Sequence, residues 1–122
     1  MEFVEATAFT RSYSKYLTDD DYHELQNWLA AEPELGDVMP GTGGFRKIRW
    51  RDPQRGKGRR GGLRVIYFYF ADEHQIWLMT LYGKDEASDL TPKEKQTLKA
   101  ALDNELRVRQ TARLARQRRS RR

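Results

Sequence analysis

Cysteine is absent from this 122-residue sequence, and histidine occurs only twice. The lack of cysteine excludes disulfides, thiolate nucleophiles and cysteine-based metal sites, and it fits a reducing compartment. His23 falls in an acidic stretch with helical spacing, and His74 falls in a short segment with the features of a hairpin turn. We therefore expect both to be surface residues and not an acid–base pair.

Long apolar runs are missing too. The longest, Val65–Ala71 and Ile76–Leu81, are far shorter than the roughly 18–20 residues that cross a bilayer. The opening residues MEFVEATAF lack the basic and apolar regions of a secretory signal. The length accommodates one compact domain, and an apolar content of 38% suffices for its core. We expect a cytoplasmic protein that makes no membrane contact.

Positive charge is abundant and concentrated in two blocks. Residues 46–64 carry nine Lys and Arg against one acid, and residues 107–122 carry eight Arg and no acid. Each block has a net charge of +8 although the whole chain has only +5. Such blocks suit the phosphate backbone of a nucleic acid, while a solvated basic surface is the alternative. We predict a domain over residues 1–106 and an arginine-rich extension over residues 107–122.

Capping residues and apolar spacing predict the helices. A short helix is expected at Phe9–Leu17. Thr18, followed by three aspartates, has the features of an N-cap, and Pro33 ends the helix that follows. Thr91 and the proline after it predict the start of a third helix, which continues to about Arg107.

Alternating and continuous apolar segments predict the strands between these helices. They are a short strand or extended segment at residues 2–8 and strands at Phe45–Trp50, Leu63–Phe70 and Gln75–Tyr82. The last two strands are joined by residues 71–74 as a hairpin, and their apolar character indicates a central position. The sequence therefore predicts an α+β domain.

Long cationic side chains are predicted at the ends of these strands. Lys47 and Arg49 project from one face of their strand, Arg64 opens the next strand, and Tyr82 and Lys84 lie where the last strand ends. If the strands are neighbours, these groups converge. A four-residue hairpin loop places Arg64 opposite the residue before Tyr82. A bulge or a one-residue shift is therefore needed to bring the two together, and this stays open.

Cleavage of RNA through its own 2′-hydroxyl can use such a cluster. Fixed Arg and Lys side chains stabilise the negatively charged phosphorane, and a lysine among other cations can accept a proton because its pKa falls. Tyr82 can exchange a proton or stack on a base. An RNA-binding surface without catalysis is the alternative. The carboxylates of Asp85, Glu86 and Asp89 match no recognised metal site, and we interpret them as loop or helix-start charges.

The other basic residues of the first block are expected to contact RNA or the ribosome. They are Arg46, Arg51, Arg55, Lys57, Arg59 and Arg60.

Three segments resemble the HigB-type branch of the RelE/ParE toxin superfamily. They are Gly36–Trp50, Gly56–Tyr67 and Leu81–Glu86 followed by Asp89–Thr91. The resemblance implies a microbial-ribonuclease-like α+β fold. In that fold two N-terminal helices pack on a small twisted, mostly antiparallel sheet, with a C-terminal helix.

The resemblance also implies a function. It implies a type II toxin that inhibits translation by cutting mRNA in the ribosomal A site, with no metal or organic cofactor. It implies a cognate helix-turn-helix antitoxin, through which the complex binds operator DNA. The family's basic site positions correspond to Lys47, Arg49, Arg64 and Lys84. Where well-studied members carry a catalytic tyrosine this chain has Thr91, and we expect Tyr82 to replace it.

Two other functions are compatible with the sequence. One is a ParE-like poison that binds a protein such as gyrase and cuts nothing, and the other is a basic RNA- or DNA-binding module. The cationic cluster favours the nuclease, because a protein-binding poison has no need to surround a phosphate.

Overall fold

A computed structural model describes residues 1–51, 62–87 and 89–121 of the chain. Within them the protein is α+β, with a mixed five-stranded sheet. The elements are β1 Glu2–Glu5, α1 Thr7–Ser12, α2 Asp19–Ala31, β2 Asp37–Val38, β3 Arg46–Trp50, β4 Leu63–Phe70, β5 Gln75–Gly83 and α3 Pro92–Ser120. Two compact units are present. One comprises Met1–Pro40 and Gly44–Asp89, and the other comprises Gly41–Gly43 and the chain from Leu90 onward.

The two longer helices begin at the predicted N-caps, and each N-cap is part of a capping box. Thr18 Oγ1 accepts a hydrogen bond from the Asp21 amide at 3.2 Å, and the Asp21 side chain accepts one from the Thr18 amide at 3.3 Å. Thr91 and Glu94 form the equivalent pair at the start of α3, with distances of 3.1 and 2.8 Å. Because each pair satisfies two otherwise unbonded amides, the local sequence is enough to fix both helix starts.

The helices differ from the prediction in length. The single helix predicted at Phe9–Leu17 is instead the six-residue α1 followed by a 3₁₀ turn at Tyr13–Lys15. The expected pair of N-terminal helices is therefore unequal, and β1 precedes it. α3 runs past the predicted end at Arg107 to Ser120, without a break at the predicted domain boundary. Among the described helices, none is both long and apolar enough to cross a membrane.

The sheet has the strand order β1-β5-β4-β3-β2. The predicted β4–β5 hairpin is confirmed, and β3 pairs with the other side of β4, so that β4 is central. These pairings and β2–β3 are antiparallel, whereas β1 runs parallel to β5. The two-residue β2 lies between α2 and β3, where the sequence predicted neither a helix nor a strand.

One face of the sheet, here called the core face, packs against α1 and α2. Its buried strand residues are Ile48, Trp50, Leu63, Val65, Tyr67, Ile76, Leu78 and Leu81. The helical region contributes Phe9, Tyr16, Leu17, Leu25 and Leu29 to the same cluster. Since side chains alternate between the two faces of a strand, the residues between the buried ones project from the opposite face. The opposite face thus carries Lys47, Arg49 and Arg64.

Candidate active site

Arg49, Arg64 and Tyr82 lie side by side on three neighbouring strands. Arg49 of β3 is opposite Arg64 of β4, and Arg64 is opposite Tyr82 of β5. Neighbouring strands are about 4.8 Å apart, and directly opposite residues project from the same face, so the three Cα atoms span about 10 Å. We call these three residues the three-strand row.

A β-bulge sets the register of the row. Tyr67 is opposite Leu78, whereas the preceding residue of β4, Ile66, is opposite Thr80. Met79 is therefore the extra residue of β5. If the two strands paired regularly through Met79, every later residue of β5 would move by one position and project from the other face. The sequence left open whether such a bulge exists, and the structure has it.

The two arginines of the row differ in exposure. Arg64 is only 6% exposed, and its Nη1 donates a hydrogen bond to the Leu63 carbonyl oxygen at 3.2 Å. Arg49, in contrast, is exposed to solvent. A guanidinium held on a central strand with limited access to water is a fixed donor, and fixed donors stabilise developing charge most effectively. The row thus pairs one immobilised cation with one accessible cation.

Lys47 extends the row along β3. It lies two residues from Arg49, about 7 Å along the strand, and projects from the same face. Its Nζ is 3.4 Å from Asp89 Oδ1, and the two side chains are 27% and 46% exposed. A carboxylate therefore lies beside Lys47 in addition to the cations that the sequence predicted there. Sequence reasoning missed this contact, because 42 residues separate the partners and no local spacing links them.

Lys84 lies at the end of the β4–β5 ladder. Its amide donates to the Gly62 carbonyl oxygen at 2.9 Å, one step beyond the last paired residues of the strands. The following turn is held by Glu86, whose Oε1 accepts from the Gly83 amide at 3.1 Å and from the Tyr16 hydroxyl. Glu86, which we interpreted as a loop charge, thus anchors the turn that carries Lys84. Lys84 itself is exposed.

Tyr67 and Tyr82 lie on opposite faces of the sheet and have different surroundings. Tyr67, on the core face, donates to the Pro33 carbonyl oxygen at 2.9 Å and accepts from the Gly36 amide at 2.8 Å. Burial raises the pKa of Tyr67, so its hydroxyl stays protonated. Tyr82 is half-buried on the opposite face. Thr91 serves as the N-cap of α3.

The remaining predicted contacts lie in different surroundings. Arg46 donates to the carbonyl oxygens of Gly36 at 2.8 Å and Glu34 at 3.2 Å, which ties it to the loop after α2. Arg51 pairs with two carboxylates of α2. Both guanidiniums therefore have protein partners, and their contact with RNA stays a prediction. The other four residues lie outside the described residues: Arg55, Lys57, Arg59 and Arg60.

Neither histidine belongs to the row. His23 is exposed on α2, and His74 occupies the β4–β5 turn with a positive φ of 48°, at the far end of the hairpin. Over the described ranges, no group of three or more His, Asp or Glu side chains is arranged to hold a metal ion. No known protein-family model matches the sequence.

Proposed function

We propose that this chain is the toxin of a type II toxin–antitoxin system, a ribosome-dependent mRNA endonuclease of the RelE/HigB type. The observation that carries the proposal is the three-strand row, with Lys47 beside it and Lys84 at the end of the same hairpin. Three strands bring five groups suited to phosphate chemistry to one region of one rigid sheet. The α+β architecture and the mixed sheet are compatible with the finer proposal of a microbial-ribonuclease-like fold.

The proposed reaction uses the substrate's own 2′-hydroxyl. The hydroxyl loses its proton to a base, its oxygen attacks phosphorus, the bond from phosphorus to the 5′ oxygen breaks, and that oxygen takes up a proton. The products are a 2′,3′-cyclic phosphate and a 5′-hydroxyl end. Arg49 and Arg64 stabilise the phosphorane, while proton transfer falls to Tyr82, Lys47 or Lys84.

Dependence on the ribosome follows from the make-up of the site. The row contains no histidine and no carboxylate, and proton transfer by tyrosine or lysine at neutral pH is inefficient unless the substrate is held in position. A ribosome that presents mRNA in its A site supplies that positioning. The proposal further includes a cytoplasmic location and a helix-turn-helix antitoxin that neutralises the toxin and binds operator DNA in the complex.

The proposal is tested by inducing expression and mapping the 5′ ends of cellular mRNA. We expect codon-phased cuts inside translated messages whose new ends carry 5′-hydroxyls, and which are therefore captured by ligation only after phosphorylation. Purified ribosomes programmed with one message should reproduce these cuts, and the same message without ribosomes should stay intact. Growth arrest with intact mRNA and damaged DNA would instead indicate a gyrase poison. Unaffected growth would indicate a simple binding module.

A matched pair of variants links the cuts to the site. Arg49→Ala removes an exposed side chain of the row, so it should reduce cleavage about 10²- to 10³-fold with little change in thermal stability. Arg11→Ala removes an equally charged and exposed side chain from α1, away from the row. It should cut as the wild type does. Equal activity of the two variants would remove the row from the mechanism.

A further inference from the structure

The C-terminal half of α3 is a dense array of arginines. Seven lie between residues 107 and 121: Arg107, Arg109, Arg113, Arg116, Arg118, Arg119 and Arg121. The helix continues through them to Ser120, and every residue from 110 to 121 is exposed. At 1.5 Å per residue, the array places seven positive charges along about 21 Å of helix. We call residues 106–121 the arginine segment.

The type of cation changes within this one helix. The first half of α3 carries Lys93, Lys95 and Lys99 and no arginine, whereas the arginine segment carries no lysine and no acid. Lysine and arginine contribute equally to solubility and net charge. They differ because the planar guanidinium forms paired hydrogen bonds with phosphate and stacks on bases. A solvated surface has no preference for arginine over lysine, whereas a phosphate-binding surface does. The change from lysine to arginine along α3 therefore indicates recognition of phosphate.

The charges of the segment also oppose its own helix. Arg109 and Arg113 are spaced i,i+4, and three further pairs are spaced i,i+3, at which separations like charges repel on a helix surface. An acidic neighbour, Glu105, is paired with Arg109 at 2.7 Å and lies one residue before the segment. A polyanion bound along the helix would neutralise this repulsion. Binding and helix stability are thereby coupled.

The exposed apolar residues of the segment do not form a seam for a protein partner. Leu106, Val108 and Leu114 are 45%, 54% and 45% exposed. Val108 lies about 160° around the helix from Leu106, so the two project from nearly opposite sides. The feature continuous over the segment is its charge.

From this charge complementarity we infer that the arginine segment is a second RNA-binding element, which grips the sugar–phosphate backbone of folded RNA independently of the three-strand row. The choice of RNA over DNA rests on the proposed function. Each arginine that neutralises a phosphate releases a counterion, so the segment makes affinity strongly dependent on salt concentration. In the proposed toxin, the segment holds ribosomal RNA while the sheet acts on mRNA.

The test is binding of the full-length protein to a fluorescent RNA hairpin at several salt concentrations. The variant R116Q/R118Q/R119Q keeps side chains that favour a helix but removes three charges. It should weaken binding about tenfold or more and make the slope of log affinity against log salt shallower by about 2–3. The matched control K93Q/K95Q/K99Q removes the same charge from the same helix and should change the slope by less than about 1. Circular dichroism checks the helix content of both variants.

The possible outcomes separate this inference from the proposed function. Equal losses in the two triple variants would mean general charge attraction and would overturn the inference. Equal or tighter binding of a DNA duplex, or of phosphatidylserine vesicles, with the same dependence on the three arginines would overturn the assignment to RNA. If codon-phased cleavage is absent but the arginine variant alone loses RNA binding, the second element stands without the nuclease. If cleavage persists and RNA binding is unchanged in the arginine variant, the nuclease stands without the second element.

Discussion

Replacing Arg64 with alanine tests whether the residue at the centre of the row acts in catalysis or only stabilises the fold. The side chain is 6% exposed on the central strand, and the substitution removes two stem methylenes beyond Cβ. At about 0.8 kcal/mol for each buried methylene, the packing loss is about 1.6 kcal/mol. Removing a guanidinium that was itself costly to bury offsets part of this loss. We expect the free energy of unfolding to fall by about 1–2 kcal/mol.

The expected loss of activity is larger than this change in stability can explain. A domain that starts from at least about 5 kcal/mol keeps about 3 kcal/mol, and more than 99% of it remains folded. Removal of one fixed donor from a developing oxyanion typically reduces the rate about 10²- to 10³-fold. Cleavage of ribosome-bound mRNA by Arg64→Ala should therefore fall by that factor while the protein stays folded.

The assay is single-turnover cleavage on programmed ribosomes, together with thermal and urea unfolding. Ile66→Val is the matched control, because Ile66 is fully buried two residues along β4 on the same face. Losing one buried methyl there costs about 0.5–1.5 kcal/mol, similar to the loss expected for Arg64→Ala, and touches no charged group. If the two variants lose activity equally, Arg64 acts only in packing and its assignment to the reaction is wrong.

Two further substitutions test contacts that support the site. Tyr67→Phe leaves the Gly36 amide and the Pro33 carbonyl oxygen without their buried partner, so urea unfolding at pH 7 should show a loss of about 1–3 kcal/mol. Burial raises the pKa of Tyr67 above 10.0, so the stability that its protonated hydroxyl contributes is complete below pH 10 and is lost as the pH rises through the folded-state pKa. The free energy of unfolding of Tyr67→Phe should therefore fall less steeply above pH 10 than that of the wild type. Identical slopes for the two proteins would contradict this. Glu86→Ala removes the acceptor of the Gly83 amide, which should exchange its hydrogen faster by mass spectrometry and be accompanied by slower cleavage. Unchanged protection at Gly83 would show that Glu86 does not hold the turn.

Local signals in the sequence predicted the elements well. Both N-caps and the β4–β5 hairpin are encoded within a few residues, and the structure has them where they were predicted. The length of α3 was not predictable to the same degree, because repelling arginines disfavour a helix that backbone propensity favours. β1 lies in the extended segment predicted at residues 2–8, but its parallel pairing with β5 was beyond local reasoning, and so was β2, which is defined by pairing with β3.

The sequence predicted which residues form the site, but it did not predict the contacts that these residues make with the surrounding loops. Lys47, Arg49 and Arg64 stand out in the sequence because strand alternation assigns each to a face. The contacts of Arg46 with the loop after α2, and of Lys47 with Asp89, depend on how the loops return to the sheet. No spacing rule contains that information. Formal charge alone therefore overstates how many cations of the first block are available to a ligand.

The extra residue at Met79 makes the hairpin sensitive to insertions. The core residues of β5 are 76, 78 and 81, and this spacing fits one face of the strand only because Met79 is skipped in the pairing. Deleting Met79 would straighten the strand, with Leu81 and Tyr82 still opposite their present partners. A single-codon insertion between residues 78 and 81 that leaves one bulge in the strand would instead bring Leu81 beside Arg64 and turn Tyr82 toward α1 and α2. Among natural variants that keep this chemistry, this stretch should therefore gain residues less often than it changes its amino-acid composition.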